Sequence, residues 1–228
     1  LTLRYNGTAF HGWQIQPNAV TVQEELCKAF RNLSGNDENI IGCSRTDSGV
    51  HANMFCCNVR TECTVSAEKM PNALNFYLPP EISVYECCEV DYDFHARYDC
   101  KGKEYVYLIY NGKYRNPFYE NRAMFYPYEL NVEMLGTEAK AFIGTHDFSA
   151  FCSVGSEVQD KVREIYDCSV IRNKDLVEVH VSGNGFLYNM VRIIVGTLID
   201  IQRGKIEQGS IPEILESHDR EKAGVTAE

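Results

Sequence analysis

The chain has 228 residues, a hydrophobic content of 44% and a formal net charge of −10. That is enough apolar material for a substantial core, in one large domain or two halves sharing a sheet. The acidic balance disfavours a broad, sequence-blind polyanion binder, because such binding is driven by Lys and Arg contacts to phosphates, but does not exclude an enzyme with a local basic cleft.

In chain order, "LTLRY" reads as a strand without the flank and apolar run of a secretion signal, and "NGTAFHGWQIQPN" as a Gly- and Asn-punctuated loop. Thr21 and Glu24 form a capping-box pattern before a helix with apolar positions Val22, Leu26, Ala29, Phe30 and Leu33. "NIIGC" and "NMFCCNVRT" read as strands flanking "GCSRTDSGVHA", which is then a strand-to-strand connection. A helical "NALNFYL", with Pro71 at its start, leads to a strand "ISVYECCEV".

Near "FHARYDCKG" the first half joins a second. There "KEYVYLIY" is a strand, "VEMLGTEAKAFIG" a helix ended by Gly144, and "VREIYDCSVIRNKDLVEVHVSG" a hairpin turning at Asn173 to Asp175. A long helix is expected from about Phe186 to Arg203. It is broken by Arg192, Gly196 and Asp200, so it is too short and too polar to span a bilayer. Ser210 and Glu213 form a further capping box before a short last helix. The expected fold class is α+β, with a mostly antiparallel sheet and a cleft between two halves, residues 1–100 and 101–228.

Ten cysteines raise the question of disulfides or zinc. There is no CxxC pair, and the doublets Cys56-Cys57 and Cys87-Cys88 are expected in strands, where neighbours point to opposite faces. Reduced, small core residues are the expectation, with no metal.

The chemistry concentrates in "RTDSGVH". Asp followed by Ser-Gly is a common turn pattern, since Asp bonds its own downstream backbone and Gly accepts positive φ. The functional alternative is that Arg45 holds Asp47 as a carboxylate, which suits a nucleophile or a low-pKa base. Arg45, Arg97, Lys101, Lys103, Arg163 and Arg192 are candidates for a basic cleft. His51, His95 and His146 are too dispersed for a metal site and read as structural. "HDFSAF" reads as a packing motif around Phe148 and Phe151 more readily than as a catalytic His-Asp pair. Tyr105 and Tyr107 share one face of their strand. Arg192 lies within an apolar helix and needs an anionic partner there, either Asp47 or a substrate phosphate.

The blocks "YNGTAFHGWQ", "TVQEELCKAF", "GCSRTDSGVHA", "NALNFYLP", "FHARY", "KEYVYLIYN", "GTHDFSAF" and "FLYNMVRIIVG" occur in this order over nearly the whole chain. Together they resemble the tRNA pseudouridine synthase A family. The resemblance implies two similar α/β halves (ferredoxin/RRM-like) sharing a central sheet, and a cytoplasmic homodimer without metal or other cofactor. It implies an enzyme that isomerises uridine to pseudouridine in the anticodon stem-loop of tRNA, just 3′ of the anticodon. By the same likeness Asp47 is the catalytic aspartate and Tyr105 stacks on the target base. Arg45 and Arg192 match the arginines of the "RTD" and "MVR" motifs. Two departures stand out: Asn6 replaces the usual aspartate of "YDGT", and the chain stops at "AGVTAE", before the strand that typically follows. An RNA-binding protein without catalysis and a metal-dependent hydrolase using Asp47 and His51 are the alternatives. The acidic charge weakens the first and the lack of ligand spacing the second.

Overall fold

The structure is a computed structural model that describes residues 1–156 and 158–228. It divides into two compact units, Leu1–Cys100 and Lys101–Glu228. The fold is α+β with two sheets, and antiparallel pairing dominates both.

Unit 1 runs β1 (Thr2–Tyr5), α1 (Val22–Ser34), β2 (Ile40–Gly42), β3 (Ala52–Val59), α2 (Met70–Tyr77) and β4 (Ile82–Glu86). The sheet order β2-β3-β1-β4, every pair antiparallel, is that of a split β-α-β motif. Helix α1 starts where the Thr21 hydroxyl accepts the Glu24 amide hydrogen at 3.3 Å and stops at Gly35, in the left-handed region at φ 79°. It buries Val22, Leu26, Ala29 and Phe30 against the sheet, a core completed by Leu3, Trp13, Phe55, Leu74 and Val84.

Unit 2 runs β5 (Lys103–Tyr110), β6 (Met124–Phe125), α3 (Val132–Ala139), β7 (Gly144–Asp147), β8 (Val162–Asn173), β9 (Leu176–Gly183), α4 (Met190–Gln202) and α5 (Ile211–Ser217). The order β6-β5-β9-β8-β7 repeats the plan of unit 1. The flank that β4 takes beside β1 is held beside β5 by the two-residue, parallel β6. The β8–β9 hairpin turns through Lys174, at φ 55°, and Asp175. Helix α4 is buried along almost its full length, and Phe142, Phe148 and Phe151 fill the space beside it.

Four local expectations are corrected. The helix ended by Gly144 stops at Ala139, followed by a short 3-10 turn; Gly144 opens β7. The helix expected from Phe186 starts at Met190, because Asn189 takes a left-handed φ of 59°. At α5 the Ser210 hydroxyl donates to the Glu207 carbonyl and makes no cap bond, so the capping box is not formed. Cys87 and Cys88 lie past the end of β4 at Glu86, whose pairing with β1 ends at Thr2↔Glu86. Cys56 and Cys57 do face opposite ways in β3, exposed and buried, and burial pushes the Cys57 thiol up to about 12. None of the ten cysteines, all among the described residues, is in a disulfide.

Candidate active site

The "RTDSGVH" segment leaves the end of the β2–β3 hairpin and folds beside the loop that leaves β1. Antiparallel pairing sets Tyr5, at the end of β1, opposite Ala52, at the start of β3, so both loops spring from the same end of the two central strands. They interlock through the main chain. The Trp13 amide donates to the Thr46 carbonyl at 3.2 Å, and the Gly49 amide to the Phe10 carbonyl at 3.1 Å. The Gly7 amide donates to Nδ1 of His51 at 3.1 Å, leaving Nε2 as the protonated ring nitrogen of the neutral tautomer. The hydroxyls of Tyr5 and Thr46 meet at 2.9 Å.

Glycine makes this approach feasible at two points. A β-carbon on Gly7 would stand 2.0 Å from the Val50 carbonyl oxygen, and one on Gly12, at φ 84°, 2.3 Å from that of Thr46. Beneath the loops Trp13 lies against Phe55 with ring centroids 4.2 Å apart. On this platform Asp47 opens a turn in which its carbonyl accepts the Val50 amide hydrogen at 3.2 Å and Gly49 takes φ 79°. The turn reading and the functional reading of Asp47 are therefore compatible: the backbone makes the turn while the side chain is exposed. Arg45 is exposed as well. Asn6, the departure from aspartate, accepts the Thr8 amide and hydroxyl hydrogens through Oδ1, a task open to amide and carboxylate alike.

In unit 2, Tyr105 and Tyr107 are half-buried on the face of β5 that meets the core. The Tyr105 ring stands edge-on to Phe186, centroids 5.0 Å apart. The Tyr107 hydroxyl donates to the main-chain carbonyl of Glu228 at 2.7 Å. Burial pushes Tyr107 up to about 12; the Arg192 charge opposes the rise and Glu228 adds to it. Arg192 is half-buried in α4; its Nε donates to the Ala227 carbonyl at 2.7 Å and its Nη1 to Asn189 Oδ1 at 3.3 Å. These neutral acceptors answer part of the need for a partner that its position in an apolar helix creates. Asn189 also donates to the Ser153 hydroxyl at 3.0 Å, tying the "FLYNMVR" and "HDFSAFCS" segments together.

The remaining candidates fall apart by unit. Arg97 is exposed in unit 1; in unit 2 Lys101 is exposed, and Arg163 donates to the carbonyls of Asp160 and Val162. Lys103 is half-buried at the start of β5. His95 Nδ1 faces the amides of Arg97 and Tyr98, a turn contact. In "HDFSAF" Phe148 and Phe151 are fully buried, and Asp147 pairs with His218 at 3.4 Å rather than with its neighbour. Burial raises the Asp147 carboxyl, but the Ser149 hydroxyl and amide, with His218, outweigh this and hold it below its ordinary value. Among the described residues no three His, Cys, Asp or Glu side chains gather to hold a metal ion. Sequence reasoning missed the glycine clamp at Gly7 and Gly12, although two glycines beside aromatics in "NGTAFHGW" are its visible trace. It also missed Phe186 and Asn189, which support Tyr105 and Arg192.

The family described as tRNA pseudouridine synthase matches residues 2–99 and 139–228. A tRNA pseudouridine synthase A of Thermoanaerobacter sp. (strain X514) is 47% identical over 227 residues, covering 100% of this chain and 93% of that protein. That of Caldicellulosiruptor saccharolyticus is 46% identical over 226 residues, 99% of this chain and 93% of its own. That of Bacillus subtilis is 44% identical over 228 residues, 99% and 92% respectively.

Proposed function

Because the chain belongs to the tRNA pseudouridine synthase family, we propose that it isomerises uridine to pseudouridine in tRNA, within the anticodon stem-loop just 3′ of the anticodon, with Asp47 as the catalytic group. The observation that carries this reading is the exposed carboxylate of Asp47 on a turn held by main-chain hydrogen bonds from a neighbouring loop. Such a mount presents a charged group in one place without burying it.

The reaction breaks the bond between ribose C1′ and uracil N1, turns the base, and forms a bond from C1′ to C5. The proton lost from C5 is balanced by one gained at N1, so there is no net redox change. One ionised carboxylate is sufficient by any of three routes: attack at C1′, addition to C6, or proton abstraction from the sugar to give a glycal. Each requires the uridine to leave its stack. Tyr105 then takes over the lost stacking, its ring steadied edge-on by Phe186. Arg45, two residues from Asp47, enters the space the base vacates, and Arg192 supplies positive charge beside Tyr107. In this reading residues 1–100 carry the RTD motif and residues 101–228 the KEYVY and MVR motifs. The active species is a cytoplasmic homodimer, as the family resemblance implies.

Asp47→Asn tests it. The amide keeps the size and turn-forming capacity of the side chain but is neither a useful nucleophile nor a base. The variant is expected to fold, to bind tRNA about as well as the parent, and to form no detectable pseudouridine. Pseudouridine formation at a comparable rate would remove Asp47 from the mechanism, and a parent inactive on every tRNA would leave a binding protein.

A further inference from the structure

Residues 111–122, between β5 and β6, lie outside both segments matched by the family. Their centre is Tyr110, with Tyr119 stacked at 5.0 Å and Phe125 at 6.3 Å. Gly112 packs so closely that a β-carbon there would stand 2.6 Å from the Tyr110 ring. Asn116 Oδ1 accepts the Phe118 amide hydrogen at 3.1 Å and sets the turn that follows. The loop is therefore built around a fixed aromatic stack. Beside it is an open cavity of about 540 Å³, with Lys113, Tyr114, Arg115 and Asp175 among its walls.

What the loop presents outward is unusual for this chain. Tyr114 is 72% exposed and Phe118 is 85% exposed. Between and beyond them stand Lys113, Arg115 and Arg122, against the single loop carboxylate of Glu120, in a protein whose net charge is −10. Among the described residues none of these three cations forms an ion pair. Lys113 lies 5.3 Å from the Tyr114 ring and Arg115 5.8 Å from that of Phe125. Exposed rings interleaved with unpaired cations match unpaired nucleotides, whose bases offer π-faces and whose phosphates offer charge. A protein interface would share the enrichment in Tyr, Phe and Arg; the excess of three cations over one carboxylate, Lys113 among them, is what favours RNA.

We propose that residues 111–122 are a second contact surface for single-stranded RNA. Tyr114 and Phe118 stack on unpaired bases, and Lys113, Arg115 and Arg122 contact the phosphates. This rests on the RNA substrate of the preceding section and extends it. The surface is distinct from base capture: Tyr105 and Tyr110 are five residues apart on β5, about 17 Å at the rise of a strand, and face opposite ways.

The test uses the full chain, with circular dichroism to confirm folding, and two double variants, Lys113→Gln with Arg115→Gln and Tyr114→Ala with Phe118→Ala. The probes are a tRNA transcript, a uridine oligomer of about eight nucleotides, and an RNA duplex of similar length. The charge variant is expected to weaken tRNA binding and to reduce the salt dependence by the equivalent of one to two phosphate contacts, a slope change of roughly one to two. The ring variant is expected to lose roughly tenfold or more in affinity for the oligomer, with duplex binding unchanged. Turnover at saturating tRNA is expected to stay at the parental value in both. Parental affinity of both variants for tRNA and oligomer overturns the proposal, as does equal weakening for oligomer and duplex. A shift in molar mass by light scattering with RNA affinity intact also overturns it, in favour of contact between copies. A parent that binds the oligomer through this loop yet makes no pseudouridine would sink the proposed activity and leave the surface standing.

Discussion

Gly12 and Thr46 approach so closely that a β-carbon on Gly12 would stand 2.3 Å from the Thr46 carbonyl oxygen, and Gly12 holds φ 84° as well. Gly12→Ala therefore has to move the peptide immediately before Asp47 or distort its own backbone. The expected outcome is a fall in pseudouridine formation of about tenfold or more, with tRNA affinity within a factor of about two of the parent and a stability loss of about 1–3 kcal/mol. Single-turnover assays with binding isotherms separate the two effects. Parental turnover would show that the clamp does not position the carboxylate.

Tyr105 offers a separation of ring from hydroxyl. Tyr105→Phe keeps the aromatic face and its edge contact with Phe186, and is expected to retain base capture. Tyr105→Ala loses it, at about 1–3 kcal/mol. Comparing kcat/KM for the two variants decides the point; equal damage from Phe and Ala would assign chemistry to the hydroxyl.

Prolonged dialysis against EDTA is expected to leave turnover unchanged, because among the described residues no cluster of three metal-binding side chains occurs. Elemental analysis before and after dialysis accompanies the assay. Activity lost on chelation and restored by zinc would contradict this.

His180 predicts a pH dependence of stability. Its Nδ1 lies 2.9 Å from Glu104 and its Nε2 3.0 Å from Glu178. Burial lowers its pKa, but the two carboxylates outweigh burial and raise it above the ordinary 6.5. The charged form is thus favoured in the folded state. Its contribution is fully present below the unfolded pKa and is lost as pH rises through the higher folded value. Unfolding free energies from urea titrations at pH 6 and upward are expected to fall more for the parent than for His180→Gln, by about 1 kcal/mol or less, since these partly exposed pairs are screened by solvent. Parallel curves would show that the pairs contribute nothing to stability.

Much of the fold is legible in side-chain pattern. The spacing of Val22, Leu26, Ala29 and Phe30 and the cap at Thr21 give α1 as observed, and Lys174 with Asp175 turns the β8–β9 hairpin. The errors come where backbone conformation overrides pattern. Asn189 in a left-handed conformation delays α4 behind an apolar run that looks continuous. Ser210 uses its hydroxyl on the Glu207 carbonyl instead of on the helix it precedes. The clamp around Asp47 was least legible, because it is made of carbonyls, amides and missing β-carbons, which sequence marks only as two glycines.

Segment 223–228 lies across α4 with backbone against backbone: a β-carbon on Gly196 would stand 1.7 Å from the Val225 carbonyl oxygen, and one on Gly224 2.5 Å from the Thr197 α-carbon. The Gly224 amide donates to the Thr197 hydroxyl at 2.9 Å and the Ala227 amide to the Arg192 carbonyl at 3.0 Å. Segment and helix thus form one cooperative unit, and their amides are expected to share a single slow regime of hydrogen exchange instead of a frayed gradient. Since Arg192 Nε and the Tyr107 hydroxyl both bond to carbonyls of that segment, an opening fluctuation that frees one side chain frees the other.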